Sequence, residues 1–344
     1  MPKFPPRYFL GIDGGGSETI AWLADERGHV CARTMAGPSN PLKAGMRASQ
    51  RELAAAARAV FREAGMRARP IEAICAGVAG TDRPAIRGKI LAALRRAIPA
   101  RHYLVTTDAA ITLQSALGRK PGIVVISGTG SIAYGRDCRG RTLRVGGWGS
   151  LFDDAGSGYD LGRKAVAAAL RDFDGRGPRT AMREALGKTI RVESIAQAGA
   201  RDWAPHEIAA LFPVVLHAAS QGDCVARRLC EGAGRDLAEM AATLLKRLDP
   251  ARRALPVVCA GGVFAASMGI RRSFARHLRC LAQRRKPTPA LKVSLIRREP
   301  VEGALELAFE LGCCGLRAIS QRNPTRPGRS FGPRRGETGA TGAP

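Results

Sequence analysis

Aromatic residues are scarce in this chain, at 5% of its 344 residues, so its core has to be built mainly from Ala, Leu, Val and Ile. No apolar run reaches the ~18 residues that a membrane-spanning helix needs, and the short, proline-rich N-terminus does not resemble a signal peptide. The nine cysteines include no Cys-x-x-Cys pair, which argues against a zinc site or a disulfide framework. We therefore expect a cytoplasmic protein with no membrane partner.

Acidic residues are also few: 29 Asp and Glu stand against 55 Lys and Arg, which gives a formal net charge of +26. Only 9 of the basic residues are lysines, and the arginines are spread along the whole chain. Such a spread favours a compositional bias over a dedicated nucleic-acid surface, so we expect no specific nucleic-acid partner. It does predict adhesion to polyanions that weakens as salt rises.

The hydrophobic pattern predicts an α/β chain in which one arrangement of strands occurs twice, about 115 residues apart. Each occurrence is a strand, a glycine-rich turn, a strand, a polar turn and a third strand. The predicted strands are 8–12, 19–24, 29–35, 71–79, 103–107, 123–127, 131–136, 142–146, 255–260 and 290–296. The predicted helices are 44–64, 84–98, 109–117 and 301–320, with a helix-rich stretch at 162–248.

Two domains follow from this pattern. We place the first at residues 1–118, completed by the returning helix 301–320, and the second at 119–300. Residues 321–344 are Gly, Pro, Arg, Ser and Thr with hardly an apolar side chain, so we expect a disordered basic tail there.

The first glycine-rich turn reads Asp13-Gly14-Gly15-Gly16-Ser17. Glycines at a hairpin turn let backbone N–H groups converge on an anion, because no Cβ blocks the approach. Asp13 stands at the end of a strand, where its carboxylate can hold Mg²⁺ through water. The alternative is a plain glycine-rich hairpin, for which two glycines suffice. The turn is neither a Walker A loop nor a dinucleotide fingerprint.

Asp108 directly follows the predicted strand that ends at Thr107. A carboxylate there points into the cleft beyond the sheet edge, which suits a general base that takes a proton from an attacking hydroxyl. Phosphoryl transfer needs mainly positioning and charge neutralisation, so one base and a metal ion are enough. The alternative is a helix N-cap, and on this segment alone the N-cap is preferred.

Three further glycine-rich segments follow in order. The segment 127–131, Ser-Gly-Thr-Gly-Ser, is a second candidate anion-binding turn. Trp148 lies among glycines, with Asp154 behind it, and can offer an apolar face to a sugar ring; the alternative is a tight loop pinned by a core Trp. Gly261–Gly262 follow a strand and can let a nucleoside lie against bare backbone. Each of these signals alone is weak.

Taken together, these segments follow the same order as in the actin-like ATPase superfamily, which the chain therefore resembles. The order is a glycine turn, an Asp, a second glycine turn, a sugar-type loop and a Gly-Gly pair. Within it the chain resembles the BadF/BadG/BcrA/BcrD-type ATPase family, and most of all its N-acetylglucosamine kinase branch, from about Phe9 to Ser320. The resemblance implies two ribonuclease H-like domains with ATP and a sugar in the cleft between them.

The resemblance also implies roles for individual residues. The residues that it implies for phosphate binding are Gly14, Gly15, Gly16, Ser17, Gly128, Thr129 and Gly130. Those that it implies for contact with the nucleoside are Gly261 and Gly262. Its sugar-binding residues are Asn40, Gly147, Trp148, Asp154 and the base Asp108. Asp13 helps to place Mg²⁺. The implied reaction is ATP-dependent phosphorylation of an amino sugar, N-acetylglucosamine or glucosamine, at O6.

Three positions depart from the family pattern: Ala155 replaces a common Glu, Asp160 replaces a Trp, and Glu18 stands where a basic residue is frequent. Two other functions stay open. One is a non-kinase ATPase activator of the same family, although such activators use cysteines for an iron–sulfur cluster between subunits. The other is a sensor that binds sugar without phosphorylating it. A homodimer also stays open.

Overall fold

The computed structural model describes residues 6–248, 255–283 and 290–314. The first sheet and its helices are β1 (Tyr8–Gly14), β2 (Thr19–Asp25), β3 (Val30–Ala36), α1 (Met46–Glu63), β4 (Ile71–Val78), α2 (Pro84–Ala97), β5 (Ala100–Thr106) and α3 (Asp108–Leu117). The strands lie in the order β3-β2-β1-β4-β5. The meander β1–β3 is antiparallel, whereas β1, β4 and β5 run parallel.

The second part of the chain repeats this topology with a larger set of helices. Its elements are β6 (Gly122–Ser127), β7 (Ser131–Arg136), β8 (Thr142–Gly146), α4 (Gly158–Phe173), α5 (Met182–Ile190), a 3-10 helix (Ile195–Ala200), α6 (Pro205–Ala209), α7 (Phe212–Ser220), α8 (Cys224–Leu248), β9 (Leu255–Ala260), α9 (Gly262–Ala266), α10 (Met268–Gln283) and β10 (Leu291–Leu295). Its strand order is β8-β7-β6-β9-β10, so the two sheets match strand for strand.

The predicted α/β fold with a repeated meander is confirmed, and no predicted strand boundary is wrong by more than three residues. Helices α9 and α10 occupy 262–283, where the sequence predicted no element. Among the described helices none spans a membrane by its own length and apolarity; only a bent pair, Pro205–Ser220 with Cys224–Leu248 at 119°, reaches that length and composition when taken together.

The last described helix, α11 (Pro300–Cys314), returns to the first sheet, as predicted. Val301, Ala304 and Leu305 are buried against that sheet together with Phe9. The packing is close, because a Cβ on Gly11 would lie 2.7 Å from the backbone nitrogen of Leu305. The predicted remainder of this helix, to residue 320, and the tail 321–344 lie outside the described residues. The domain boundaries stay a prediction.

Helix α3 connects the two halves of the molecule. Its Leu113 is buried in a small cluster with Val124 of β6 and Ala260 of β9, which belong to the second sheet. The same helix crosses α11 so closely that a Cβ on Gly303 would lie 2.1 Å from the carbonyl oxygen of Ile111. The first residue of α3, Asp108, therefore lies where the two sheets face each other.

Candidate functional site

The predicted site residues of the first sheet gather at one edge. Asp13 and Gly14 at the end of β1 pair with Gly77 and Val78 of β4, and Gly77 pairs with Thr106 at the end of β5. Because the carboxyl ends of parallel strands meet at one edge, the first glycine turn and the start of α3 open into the same space.

The first glycine turn is held mainly by backbone hydrogen bonds. The amide of Gly15 donates to the carbonyl of Glu18 at 2.8 Å, and the carbonyl of Gly15 accepts from the amides of Ser39 and Asn40 at 3.1 and 3.0 Å. Asn40, the predicted sugar residue, is buried, and its Oδ1 accepts from the amide of Leu42 at 2.9 Å. The turn is thus joined directly to the loop that carries Asn40.

Carboxylates crowd this edge of the sheet. Burial, as the largest cause, and the charges of Asp108, Glu18 and Glu299 together raise the pKa of Asp13 to about 7. Burial also raises the pKa of Asp108; the amide of Ala109 lowers it, by a hydrogen bond to the carboxylate. Two neighbouring, partly buried carboxylates thus both have raised pKa values, which is the pattern of a functional site rather than of a solvated surface.

The N-cap interpretation of Asp108 is wrong. Thr107 is the N-cap of α3, since its Oγ1 accepts from the amide of Ala110 at 3.2 Å. Asp108 is the first residue of the helix, and its carboxylate accepts a hydrogen bond from the amide of Ala109 in the first turn. Its role as a base in the cleft stays a prediction.

The second glycine turn is held by a buried carboxylate. Asp154 Oδ1 accepts from the amide of Ser131 at 2.9 Å, and a Cβ on Gly130 would lie 2.8 Å from the same oxygen. Asp154 has φ 66°, a left-handed conformation that Asp tolerates better than most residues. The carbonyl of Gly128 accepts from the amide of Gly158 at the start of α4, at 2.8 Å. Asp154, predicted to bind sugar, thus holds the second glycine turn.

The loop around Trp148 lies at the surface. The ring is 69% exposed, so the alternative of a core Trp is wrong. One ring face is covered by Arg144, whose guanidinium carbon lies 4.2 Å from the ring centroid. Arg144 also forms an ion pair with Asp82 of the first half of the chain, with Nη1 and Oδ2 3.0 Å apart. Gly147, with φ 73°, lets the chain turn into this loop.

Asp160 is not the additional sugar-facing acid that its place beside the loop suggests. It is buried, and its Oδ2 accepts from Lys164 Nζ at 2.6 Å and from the amide of Gly156 at 2.9 Å. Ser157 caps α4 by accepting from the amide of Asp160 at 3.1 Å. This departure from the family pattern therefore stabilises the start of α4.

The two glycines after β9, Gly261 and Gly262, differ in what surrounds them. Gly261 has φ 92°, and a Cβ on it would lie 2.3 Å from the carbonyl oxygen of Ser127, so the fold requires it. Gly262 and Gly128 have no described atom within 4 Å of such a Cβ. Both therefore present bare backbone to open space, as a nucleotide site needs.

No group of three His, Cys, Asp or Glu side chains that suits a metal ion occurs in the described residues. Asp13 supplies hard carboxylate oxygens, the donor type that Mg²⁺ prefers. Mg²⁺ usually keeps several waters and binds through one or two carboxylates together with phosphates, so Asp13 beside a turn that is predicted to bind phosphate fits it.

The comparison with protein families decides what this arrangement belongs to. Residues 10–288 match the BadF/BadG/BcrA/BcrD ATPase family. The chain belongs to this family. The resemblance found in the sequence is confirmed, and membership of an ATPase family implies that the chain uses ATP. That the glycine turns bind it stays a prediction.

Curated relatives from two organisms extend the family assignment. The chain is 34% identical to an N-acetylmuramic acid/N-acetylglucosamine kinase of Clostridium acetobutylicum over 264 residues, which are 75% of this chain and 85% of the relative. It is 27% identical to an N-acetyl-D-glucosamine kinase of Dictyostelium discoideum over 272 residues, or 74% and 84% of the two chains.

Solved structures confirm the predicted actin-like fold. A Chromobacterium violaceum protein with a provisional assignment as an N-acetylglucosamine kinase superposes with a TM-score of 0.74 at 28% identity, covering 88% of this chain and 99% of its own. The ROK hexokinase of Thermus thermophilus superposes with a TM-score of 0.54 at 20% identity, covering 88% and 97%, which shows the fold alone.

Three residues at this BadF-family site escaped the sequence motifs: Lys43, Asp82 and Arg144. Asp82 had a usable signal, because it lies in the short loop between the end of β4 and the start of α2, on the edge where Asp108 follows β5. Lys43 and Arg144 carry no motif of their own. Their positions are set by the loop beside the first turn and by the pairing of β8 with β7.

Proposed function

We propose that this chain is an ATP-dependent kinase that phosphorylates an N-acetylated amino sugar, N-acetylglucosamine first, at O6. The observation that carries the proposal is the position of Asp108. It begins an interface helix between the two sheets, next to Asp13, and the N-cap of that helix is Thr107 rather than Asp108. The names of both curated relatives support an amino sugar as the acceptor.

In the proposed reaction Asp108 accepts the proton of the sugar hydroxyl. The sugar oxygen forms a bond to the γ-phosphorus, the bond from that phosphorus to the β–γ bridging oxygen breaks, and ADP leaves with the electron pair. A raised pKa makes Asp108 a stronger base than an ordinary carboxylate once it is ionised.

The nucleotide is proposed to lie between the two glycine turns. Residues 14–17 and 128–130 would hold the phosphates, Asp13 would hold Mg²⁺, and Gly262 would lie against the nucleoside. When bound, Mg²⁺ neutralises charge on the phosphates. A cavity of about 400 Å³ is lined in part by Cys230, Glu231 and Met268 and also by Ala266, at the far end of the short helix that Gly262 begins. We propose that the adenine of the nucleotide enters it.

The sugar is proposed to lie between Asn40, Asp108 and the Trp148 loop. Both sheets contribute to this position, since Asn40 is tied to the first turn and Trp148 follows β8. The ion pair between Arg144 and Asp82 spans the same gap. Closure of the two halves over the sugar would exclude water, so that phosphate goes to the sugar rather than to solvent.

The test is an ADP-release assay with N-acetylglucosamine, glucosamine, N-acetylmuramic acid and glucose. We expect release that depends on sugar and is fastest with an N-acetylated one. Hydrolysis of ATP that no sugar accelerates would favour the ATPase activator, and sugar binding without turnover would favour the sensor. For the acceptor atom, 6-deoxy-N-acetylglucosamine should bind but accept no phosphate; its phosphorylation would exclude O6.

A further inference from the structure

Lys43 reaches the first glycine turn from a neighbouring loop. A Cβ placed on Gly16 would lie 3.6 Å from Lys43 Nζ and 3.6 Å from Lys43 Cδ. The side chain therefore runs alongside the turn, and its ammonium ends beside the backbone that is proposed to hold phosphate. Lys43 is exposed, so its Nζ is accessible to a ligand in the cleft.

The loop that carries Lys43 is anchored to the same turn. The carbonyl of Gly15 accepts from the amides of Ser39 and Asn40, and the carbonyl of Asn40 accepts from the amide of Lys43 at 3.1 Å. Asn40 Oδ1 accepts from the amide of Leu42. These hydrogen bonds fix the backbone of Lys43 relative to the turn. The position of the Lys43 side chain beside Gly16 therefore follows from the fold of the loop.

Lys43 also faces carboxylates from both halves of the molecule. Burial raises the pKa of Asp108, and the charge of Lys43 lowers it. Burial likewise raises the pKa of Asp154, and the charge of Lys43 lowers that one too. Asp108 begins the interface helix, whereas Asp154 holds the second turn. The ammonium beside Gly16 is thus close enough to carboxylates of both halves to lower their pKa values.

We propose that Lys43 is a catalytic residue that contacts the transferred phosphoryl group and supplies the cation that Glu18 does not. This inference rests on the proposed function. Glu18 stands where the family resemblance places a basic residue, and its charge adds to the negative potential at Asp13. A lysine from the adjacent loop brings a positive charge to the same turn, and charge neutralisation is the main task in phosphoryl transfer.

The experiment compares Lys43→Met with Lys89→Met, a control on the exposed face of α2. Loss of one preorganised group that stabilises transition-state charge typically costs about 10²-fold or more in kcat. We expect a loss of that order for Lys43→Met, no change in KM for the sugar, and partial retention in Lys43→Arg. Values of kcat for Lys43→Met within twofold of Lys89→Met would overturn the proposal.

Two further measurements separate contact with phosphate from an indirect effect through Asp108. If Lys43 only kept Asp108 ionised, raising the pH would restore kcat in Lys43→Met; such recovery would overturn the proposal. In titrations without sugar, Lys43→Met should weaken binding of a non-hydrolysable ATP analogue but not of AMP. Equal weakening of both, or of neither, would contradict contact with the terminal phosphate.

These titrations also distinguish failure of the proposed sugar kinase function from failure of the proposed role of Lys43. If the wild-type chain binds the ATP analogue but phosphorylates no sugar, the proposed function fails while the role of Lys43 at the terminal phosphate is still measured. As a last arm, Glu18→Lys added to Lys43→Met returns a cation to the turn from its other side. Partial recovery of kcat is expected, and a double variant no faster than Lys43→Met would contradict charge replacement.

Discussion

The two glycine turns occupy equivalent positions in the two sheets but are held by different means. The first, between β1 and β2, is tied by its own backbone to the loop that begins at Ser39. The second, between β6 and β7, is held by the buried carboxylate of Asp154 and by the first amides of α4. Matching strand order therefore does not impose matching chemistry on the turns.

This difference suggests a division of labour. At the first turn the charges of Asp108, Glu18 and Glu299 raise the pKa of Asp13, and Lys43 lies beside the turn, so the proposed proton transfer and charge neutralisation belong to this side. At the second turn the carboxylate of Asp154 is buried and hydrogen-bonded to backbone. We therefore expect Asp154 to position a ligand through the second turn.

The largest effect is expected at the reactive side, from Asp108→Asn. Loss of a general base lowers kcat by about 10²–10⁴-fold, whereas binding of the ATP analogue should change little because the phosphate turns are untouched. Folding should be preserved, since burial already disfavours the charged form of Asp108. Turnover like that of the wild type, in protein with an unchanged melting temperature, would sink the assignment of Asp108 as the base.

The next largest effect is expected at the second turn, from Asp154→Ala. This change leaves the amide of Ser131 without its acceptor and places Ala at φ 66°, so the free energy of unfolding should fall by about 1–3 kcal/mol. Asp154→Asn is the matched control, because it keeps an acceptor oxygen and tolerates that φ. Urea denaturation measures both variants, and equal stability for the two would show that the hydrogen bond contributes nothing.

The sequence was sufficient for the sheets because their signals are local. Alternating or continuous apolar runs bounded by glycine and polar turns predicted every described strand, and the repeated meander predicted the matching sheets. Helix α10 was missed although it carries a regular signal: Ile270, Phe274, Leu278 and Ala282 recur every four residues and are all buried. Its many arginines on the other face obscured that spacing.

The site was only partly predictable. Motifs led to Asp13, Asp108 and the three glycine segments because each ends a strand at a sheet edge. Lys43 and the pairing of Asp82 with Arg144 depend on how loops far apart in sequence meet, which no local pattern encodes. The homodimer, the cytoplasmic location and the absence of a nucleic-acid partner stay predictions.

A smaller effect separates two glycines of the second turn. Gly128→Ala adds a Cβ with no described atom within 4 Å, so stability should be unchanged while the ATP analogue binds more weakly. Gly130→Ala places a Cβ 2.8 Å from Asp154 Oδ1, so it should lower stability as well as binding. Neither glycine has a positive φ, so backbone strain does not contribute to the difference between the two variants. Thermal unfolding and nucleotide titration on both variants decide the matter; a less stable Gly128→Ala would show that its surroundings are not open.

The smallest effect concerns the pH dependence of the reactive side. As the base, Asp108 must be ionised, so kcat/KM should rise with pH through its pKa. That pKa is raised above the ordinary 3.8, mainly by burial and also by Asp82. Asp82→Asn removes one of the charges that oppose ionisation, so the acidic limb of the profile should move to lower pH. The ion pair with Arg144 is lost as well, and Arg144→Gln controls for that loss because it keeps the charge of Asp82. If the acidic limb of the pH profile moves equally in both variants, the shift comes from loss of the contact between the two halves. If it moves only in Asp82→Asn, the shift comes from the charge beside Asp108.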